Sequence, residues 1–183
     1  LDGVMQALVI ASGDKQISDV GFFGSALVDH VDDTHIPALA KTLAQSGIAM
    51  VPTESLMLGF TAAESPEMAA KADAVGLMHK STVERWKQTR QSIHSSDGYS
   101  AEKVARFMKL RGAFIKAFVD AGGTVLLGSD APQVFNVPGD SIHVEMQLMA
   151  DAGMSPLQIL QAASLAPAKF FGFENQLGSI SVG

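Results

Sequence analysis

The chain has 183 residues, 13 of them basic and 19 acidic, for a net charge of −6. No segment concentrates Lys or Arg, so the phosphate-neutralising patch that a nucleic-acid partner requires is excluded. Cysteine is absent, which excludes disulfides, zinc–thiolate sites and thiol nucleophiles and leaves the compartment open between cytoplasm and periplasm. Hydrophobic residues make up 47%, yet no apolar run approaches the roughly 18 residues of a membrane span, so no membrane partner is expected.

The length is enough for one real core. It is short of the roughly 200 to 250 residues of a complete (β/α)8 barrel. The chain begins at Leu1 and stops where an alternating pattern starts near Ser179. Both ends read as cuts, so residues 1–183 are expected to be part of a longer polypeptide, with any signal peptide out of view.

Residues 1–24 are hard to place. Val4, Ala7, Leu8 and Ala11 have helical spacing, and Asp14 to Asp19 reads as an exposed turn. Ala26-Leu27-Val28 reads as a buried strand ending in Asp29-His30. Ile36, Leu39, Ala40 and Leu43 then mark one face of a helix, which Gly47 ends as a left-handed cap. Ile48 to Val51 make the next strand, closed by Pro52-Thr53-Glu54. Strand, helix and strand in this order form a parallel crossover.

Residues 61–121 are predicted as a helical insertion bordering the mouth of a site, where long insertions are often lids. Ser65-Pro66 opens a helix predicted to reach about Lys80, and a second runs from Val83 to Ile93. Ser100 caps a third, with Val104, Phe107, Met108, Phe114, Ile115 and Phe118 on its buried side. The charges from Lys103 to Arg111 are assigned to its wet face. Thr124 to Leu127 form the third strand, which ends in Gly128-Ser129-Asp130-Ala131-Pro132. A helix follows from about Ser141 to Ala152. Ser155-Pro156-Leu157-Gln158 is a capping box for the last helix, which carries Ile159, Leu160 and Ala163 and, past Pro167, Phe170 and Phe171. Short apolar strands alternating with amphipathic helices place the chain in the α/β class.

Parallel α/β folds gather reactive groups at the C-terminal ends of their strands. That filter selects His30, Thr53 and Asp130. Asp130 is a carboxylate just past an apolar strand; the plainer reading is a turn Asp bonded to its own loop. His30 has the same placement, and its plainer reading is a satisfied strand-end histidine. Together they suit a metal such as zinc, which takes neutral imidazole and carboxylate. His143 starts a helix beside Glu145 and is read first as an ordinary first-turn polar residue. Thr53 and His143 are kept as candidate substrate contacts. His35, His79 and His94 read as solvated, and Met146, Met149 and Met154 as core filling. Neither a nucleotide loop nor a Gly-x-Ser-x-Gly elbow is present.

Val28-Asp29-His30, Pro52-Thr53 and Leu127-Gly128-Ser129-Asp130 resemble the last three barrel strands of the amidohydrolase superfamily. The branch is the one with imidazolonepropionase-like and Xaa-Pro dipeptidase-like enzymes. The tail agrees: Gly153 to Ser164, Pro167-Ala168-Lys169 and Leu177-Gly178-Ser179-Ile180 look like that family's final helix and return strand. The resemblance implies the C-terminal part of a TIM-type (β/α)8 barrel, with 26–175 matching its last three βα units and 176–183 starting a return strand to a β-sandwich. It implies one or two divalent metal ions, usually zinc, with His30 and Asp130 as ligands and Asp130 as proton shuttle. The implied reaction is hydrolysis of a carbon–nitrogen bond in a small amide, cyclic amide or dipeptide. The family's other ligands have no counterpart in the chain, so residues 1–183 alone are expected to be inactive and to hold zinc weakly. Unpaired strand edges favour self-association, so a homo-oligomer stays among the partners considered. Two other readings stand beside it. One is a phosphate-binding barrel, against which Pro132 and Pro138 speak; the other is a non-catalytic piece that only packs against a partner.

Overall fold

A computed structural model describes residues 2–13 and 21–182. The helical spacing near the N-terminus forms α1 (Asp2–Ala11), with Met5, Leu8 and Val9 buried. The turn read at Asp14 to Asp19 lies outside the described residues.

The strand predicted at Ala26 to Val28 is not one. Residues Phe22–His30 wind as a 3-10 helix that packs on α1. Leu27 and Val28 are buried, as a strand would bury them, so the apolar run is real and the backbone form differs. The reason is in its carbonyls, which must find donors without a strand beside them. Arg106 donates from Nε to the Val28 carbonyl at 3.0 Å and from Nη2 to the Val31 carbonyl at 3.1 Å. A side chain thus stands where a sheet ladder was expected.

After a short 3-10 turn at Asp33–His35, α2 (Ile36–Gln45) buries Ile36 and Ala40 and ends at Gly47 with φ 77°. β1 (Ala49–Met50) pairs in parallel with β2 (Thr124–Val125), Ala49 opposite Thr124 and Met50 opposite Val125. The Leu126 amide extends the pairing to the Met50 carbonyl at 2.9 Å. The next amide, Leu127, turns instead to the carbonyl of Ala162 at 2.9 Å, so the predicted four-residue strand is cut short.

Between the strands run α3 (Glu54–Thr61), α4 (Pro66–Ala69), α5 (Lys80–His94) and α6 (Ala101–Asp120). Ser65 caps α4 as its sequence suggests, but the helix predicted to reach Lys80 stops at Ala69. The chain then turns so that Val75 enters a small core with Trp86, Val134 and Val137. Beyond β2 come α7 (Asp140–Asp151), α8 (Pro156–Ala163) and α9 (Leu165–Phe170). The capping box of α8 forms in full, Gln158 N–H to Ser155 Oγ at 3.3 Å and Ser155 N–H to Gln158 Oε1 at 2.8 Å. Residues 176–182, read as the start of a return strand, are turn and unpaired chain, with Ile180 and Val182 fully exposed.

α6 lies along α2 and carries the main core: Phe107, Phe114, Ile115 and Phe118 are essentially sealed from solvent. Burying one such side chain is worth about 1.5–3 kcal/mol. Met50 and Val125 place the strand pair in the same cluster. This is α/β packing on a parallel crossover. Among the described residues the sheet has two strands, not the three expected.

Candidate functional site

Thr53 and Asp130 lie just past the C-terminal ends of β1 and β2, and both hold left-handed backbone, φ 54° and 53°. Non-glycine residues avoid that region at a cost of roughly 1–2 kcal/mol. Two such residues at the same end of one strand pair mark a place where the surroundings over-determine the backbone. The peptide between Ala131 and Pro132 is cis.

Asp130 is exposed, and the residues behind it are not. Ser129 is buried, its Oγ 2.9 Å from the Ser141 Oγ of α7. Asn136 donates from Nδ2 to the Ser129 carbonyl at 2.5 Å. Asn136 and Ser141 are each 2% exposed, so the loop is clamped from below while its carboxylate faces out.

The corner after β1 is built from charge. Glu54, buried, receives Arg111 Nε at 3.0 Å on both carboxylate oxygens and Nη2 at 2.7 Å. The same Nη2 reaches the Pro52 carbonyl at 3.1 Å. Thr53 Oγ1 donates to that carbonyl too, at 2.7 Å, and so does not cap α3. The cap comes from another helix: Glu145 of α7 accepts the Ser55 N–H on Oε2 at 2.7 Å. A carboxylate there meets the orphan amides and the positive end of α3. Burial pushes both carboxyls above the usual carboxylate range. For Glu54 the Arg111 charge pulls the other way; for Glu145 the opposing pull comes from the amides of Ser55 and Glu54.

His30 ends the 3-10 segment and is exposed. Its neighbour Asp29 is tied to Lys103 Nζ at 2.8 Å, and that bond holds the Asp29 carboxyl below its usual range. His143 is exposed in the first turn of α7. The strand ends therefore bring Thr53 and Asp130 to one end of the sheet, while His30 follows a helical turn and His143 sits on a helix surface. Among the described residues no three His, Asp or Glu side chains stand close enough to hold a metal ion. A catalytic zinc is typically held by about three protein ligands. The described residues do not by themselves fit a complete metal centre.

Sequence reasoning overlooked Arg111, Arg90 and the buried Glu54. The charge pattern assigns Arg111 to the wet face of its helix, yet it is 1% exposed. The signal was there: it falls in the stripe Val104, Phe107, Phe114 and Phe118, a polar residue at a position the period reserves for the core. Arg90 stands likewise one turn after the buried Trp86. A charge on the apolar side of a helix asks for a buried partner.

A sequence profile of the amidohydrolase family matches residues 22–183. The match spans most of the chain, and the protein belongs to the amidohydrolase family, a family of hydrolases that implies the TIM-barrel architecture and typical metal dependence. No curated protein and no solved structure matches the chain.

Proposed function

We propose that this amidohydrolase-family protein hydrolyses a carbon–nitrogen bond in a small amide, cyclic amide or dipeptide, with Asp130 as the group that moves the proton. The observation behind this reading is the exposed Asp130 carboxylate just past the end of β2, fixed in left-handed backbone by a buried Ser129–Asn136–Ser141 clamp. An ionised carboxylate there can accept a proton from the attacking water as the new carbon–oxygen bond forms. It can then return that proton to the nitrogen as the carbon–nitrogen bond breaks. His30 and Asp130 fall short of the ligand number a catalytic zinc takes, and the proton transfer at Asp130 needs only its own carboxylate. Thr53, which follows β1 at the same end of the sheet, and His143 on α7 are the candidate substrate contacts.

The test is a panel of N-acyl amino acids, cyclic amides and dipeptides, assayed with protein expressed from its full native coding sequence. Asp130→Asn is expected to lower kcat by a factor of roughly 100 to 10,000 on the substrate that turns over. Its circular dichroism should match wild type. Near-normal rates in that variant overturn the role of Asp130, and esters cleaved with no amide cleaved overturn the bond class.

A further inference from the structure

A cavity of about 330 Å3 lies between α3, α5 and the loop that leaves Asp130. Small residues keep it open, among them Gly59, Ala69, Ala72 and Ala74. A Cβ on Gly59 would stand 2.2 Å from the Val134 carbonyl oxygen, so the close approach of α3 and the loop requires glycine.

Arg90 and Phe135 form one wall. Arg90 is 2% exposed. Its Nε donates to the Gly59 carbonyl at 2.9 Å, Nη2 contacts the same oxygen, and the guanidinium lies 4.2 Å from the Phe135 ring centre. Nη1 is buried and has no hydrogen-bond partner. Among the described residues no carboxylate comes within ion-pair distance of it. A carbonyl, a ring face and the through-space pull of the exposed Glu64 carboxylate, which does not pair with it, are weak compensation for a buried cation. Such charges are normally paired, and a buried donor left unmade calls for an explanation. The guanidinium fork matches a carboxylate in both charge and geometry.

The rest of the lining narrows the ligand. The alanines, Val75 and Val137 suit a compact apolar body. Glu64 and Asp140 also line the cavity and are exposed, so a ligand with several negative charges meets repulsion on entry.

We infer that this cavity binds a small organic monocarboxylate, its carboxylate on Arg90 and its apolar body against the alanines and Phe135. The inference does not depend on Asp130 being catalytic, and its test reads binding rather than turnover. Isovalerate and its neutral isostere isovaleramide are titrated by calorimetry into the full-length protein. Isovalerate is expected to bind at least about tenfold more tightly, the size of one charge-assisted contact of about 1.4 kcal/mol. Arg90→Met should erase that preference. Ala72→Leu, at an exposed lining position, should weaken both ligands and leave Arg90 in place; it keeps the test decisive if Arg90→Met fails to fold. Equal affinity of acid and amide, no binding of either, or wild-type binding in Ala72→Leu overturns the inference.

Discussion

Arg111 on α6 and Glu54 at the start of α3 form a buried two-pronged ion pair across 57 positions of sequence, with contacts of 2.7 and 3.0 Å. The same guanidinium holds the Pro52 carbonyl, so the corner that presents Thr53 is anchored to the main core helix. Neither side chain is more than 3% exposed, and either one alone would be a buried, unpaired charge. Arg111→Met is therefore expected to cost about 3–5 kcal/mol. Arg111→Met combined with Glu54→Leu should recover much of that loss, because an apolar pair of similar volume leaves no orphan charge. Urea denaturation of the two single variants and the double variant checks this. A double variant no better than the sum of the singles would refute the pairing.

Glu145 gives the corner a pH dependence. Burial raises its pKa in the folded chain, so the folded state binds this proton more tightly than the unfolded state does. The stability this contributes is fully present below the ordinary value of 4.5 and is lost as pH rises through the folded value. Glu145→Gln removes the titration and keeps an oxygen for the Ser55 N–H. The variant should match wild type in stability near pH 4 and exceed it toward neutrality. Denaturation midpoints measured across that range decide the point, and a constant difference would contradict it.

The backbone at Asp130 separates strain from chemistry. Asp130→Gly and Asp130→Ala both remove the carboxylate, but only glycine adopts φ 53° without steric cost. Asp130→Gly should be more stable than Asp130→Ala by about 1 kcal/mol, while both lose turnover alike. Thermal melts beside the activity assay test the two statements separately. Equal melting temperatures would mean that the loop relaxes out of the left-handed region.

Residues 1–183 on their own should bind zinc more weakly than the roughly 10 kcal/mol or more of a complete structural site. Among the described residues no three His, Asp or Glu side chains are grouped to share an ion. Calorimetric titration of the purified chain with zinc gives the answer. Tight binding of one equivalent would point to ligands that the strand-end argument does not include, His143 first among them.

Local chemistry is what the sequence makes legible. The Ser155–Gln158 box, the Ser65 and Ser100 caps and the left-handed Gly47 are each specified within a few residues, and each forms. The two paired strands were readable from their apolar runs, since Met50 and Val125 are core residues in any backbone form. The same reasoning misreads Ala26 to Val28, because burial is common to strands and 3-10 turns and the deciding contact is Arg106, 78 residues from Val28. Asp130 and Thr53 were found because a strand end is a local feature. The Glu54–Arg111–Glu145 network was not, because it joins three helices whose association no short window of sequence contains. His30 was placed by the strand that failed to form.

The parallel ladder between Ala49–Met50 and Thr124–Val125 is too short to be the stiff part of this molecule. Its extension splits at once, the Leu126 amide going to Met50 and the Leu127 amide to α8. What keeps the ends of β1 and β2 in register is the pairing of α2 with α6 and the reach of Arg111 from α6 to Pro52. Undocking of α2 from α6 should therefore release the strand ends with it. The distance between Thr53 and Asp130 then fluctuates on the timescale of helix undocking, not that of loop motion, and a solute that tightens α6 against α2 would steady the site without touching it.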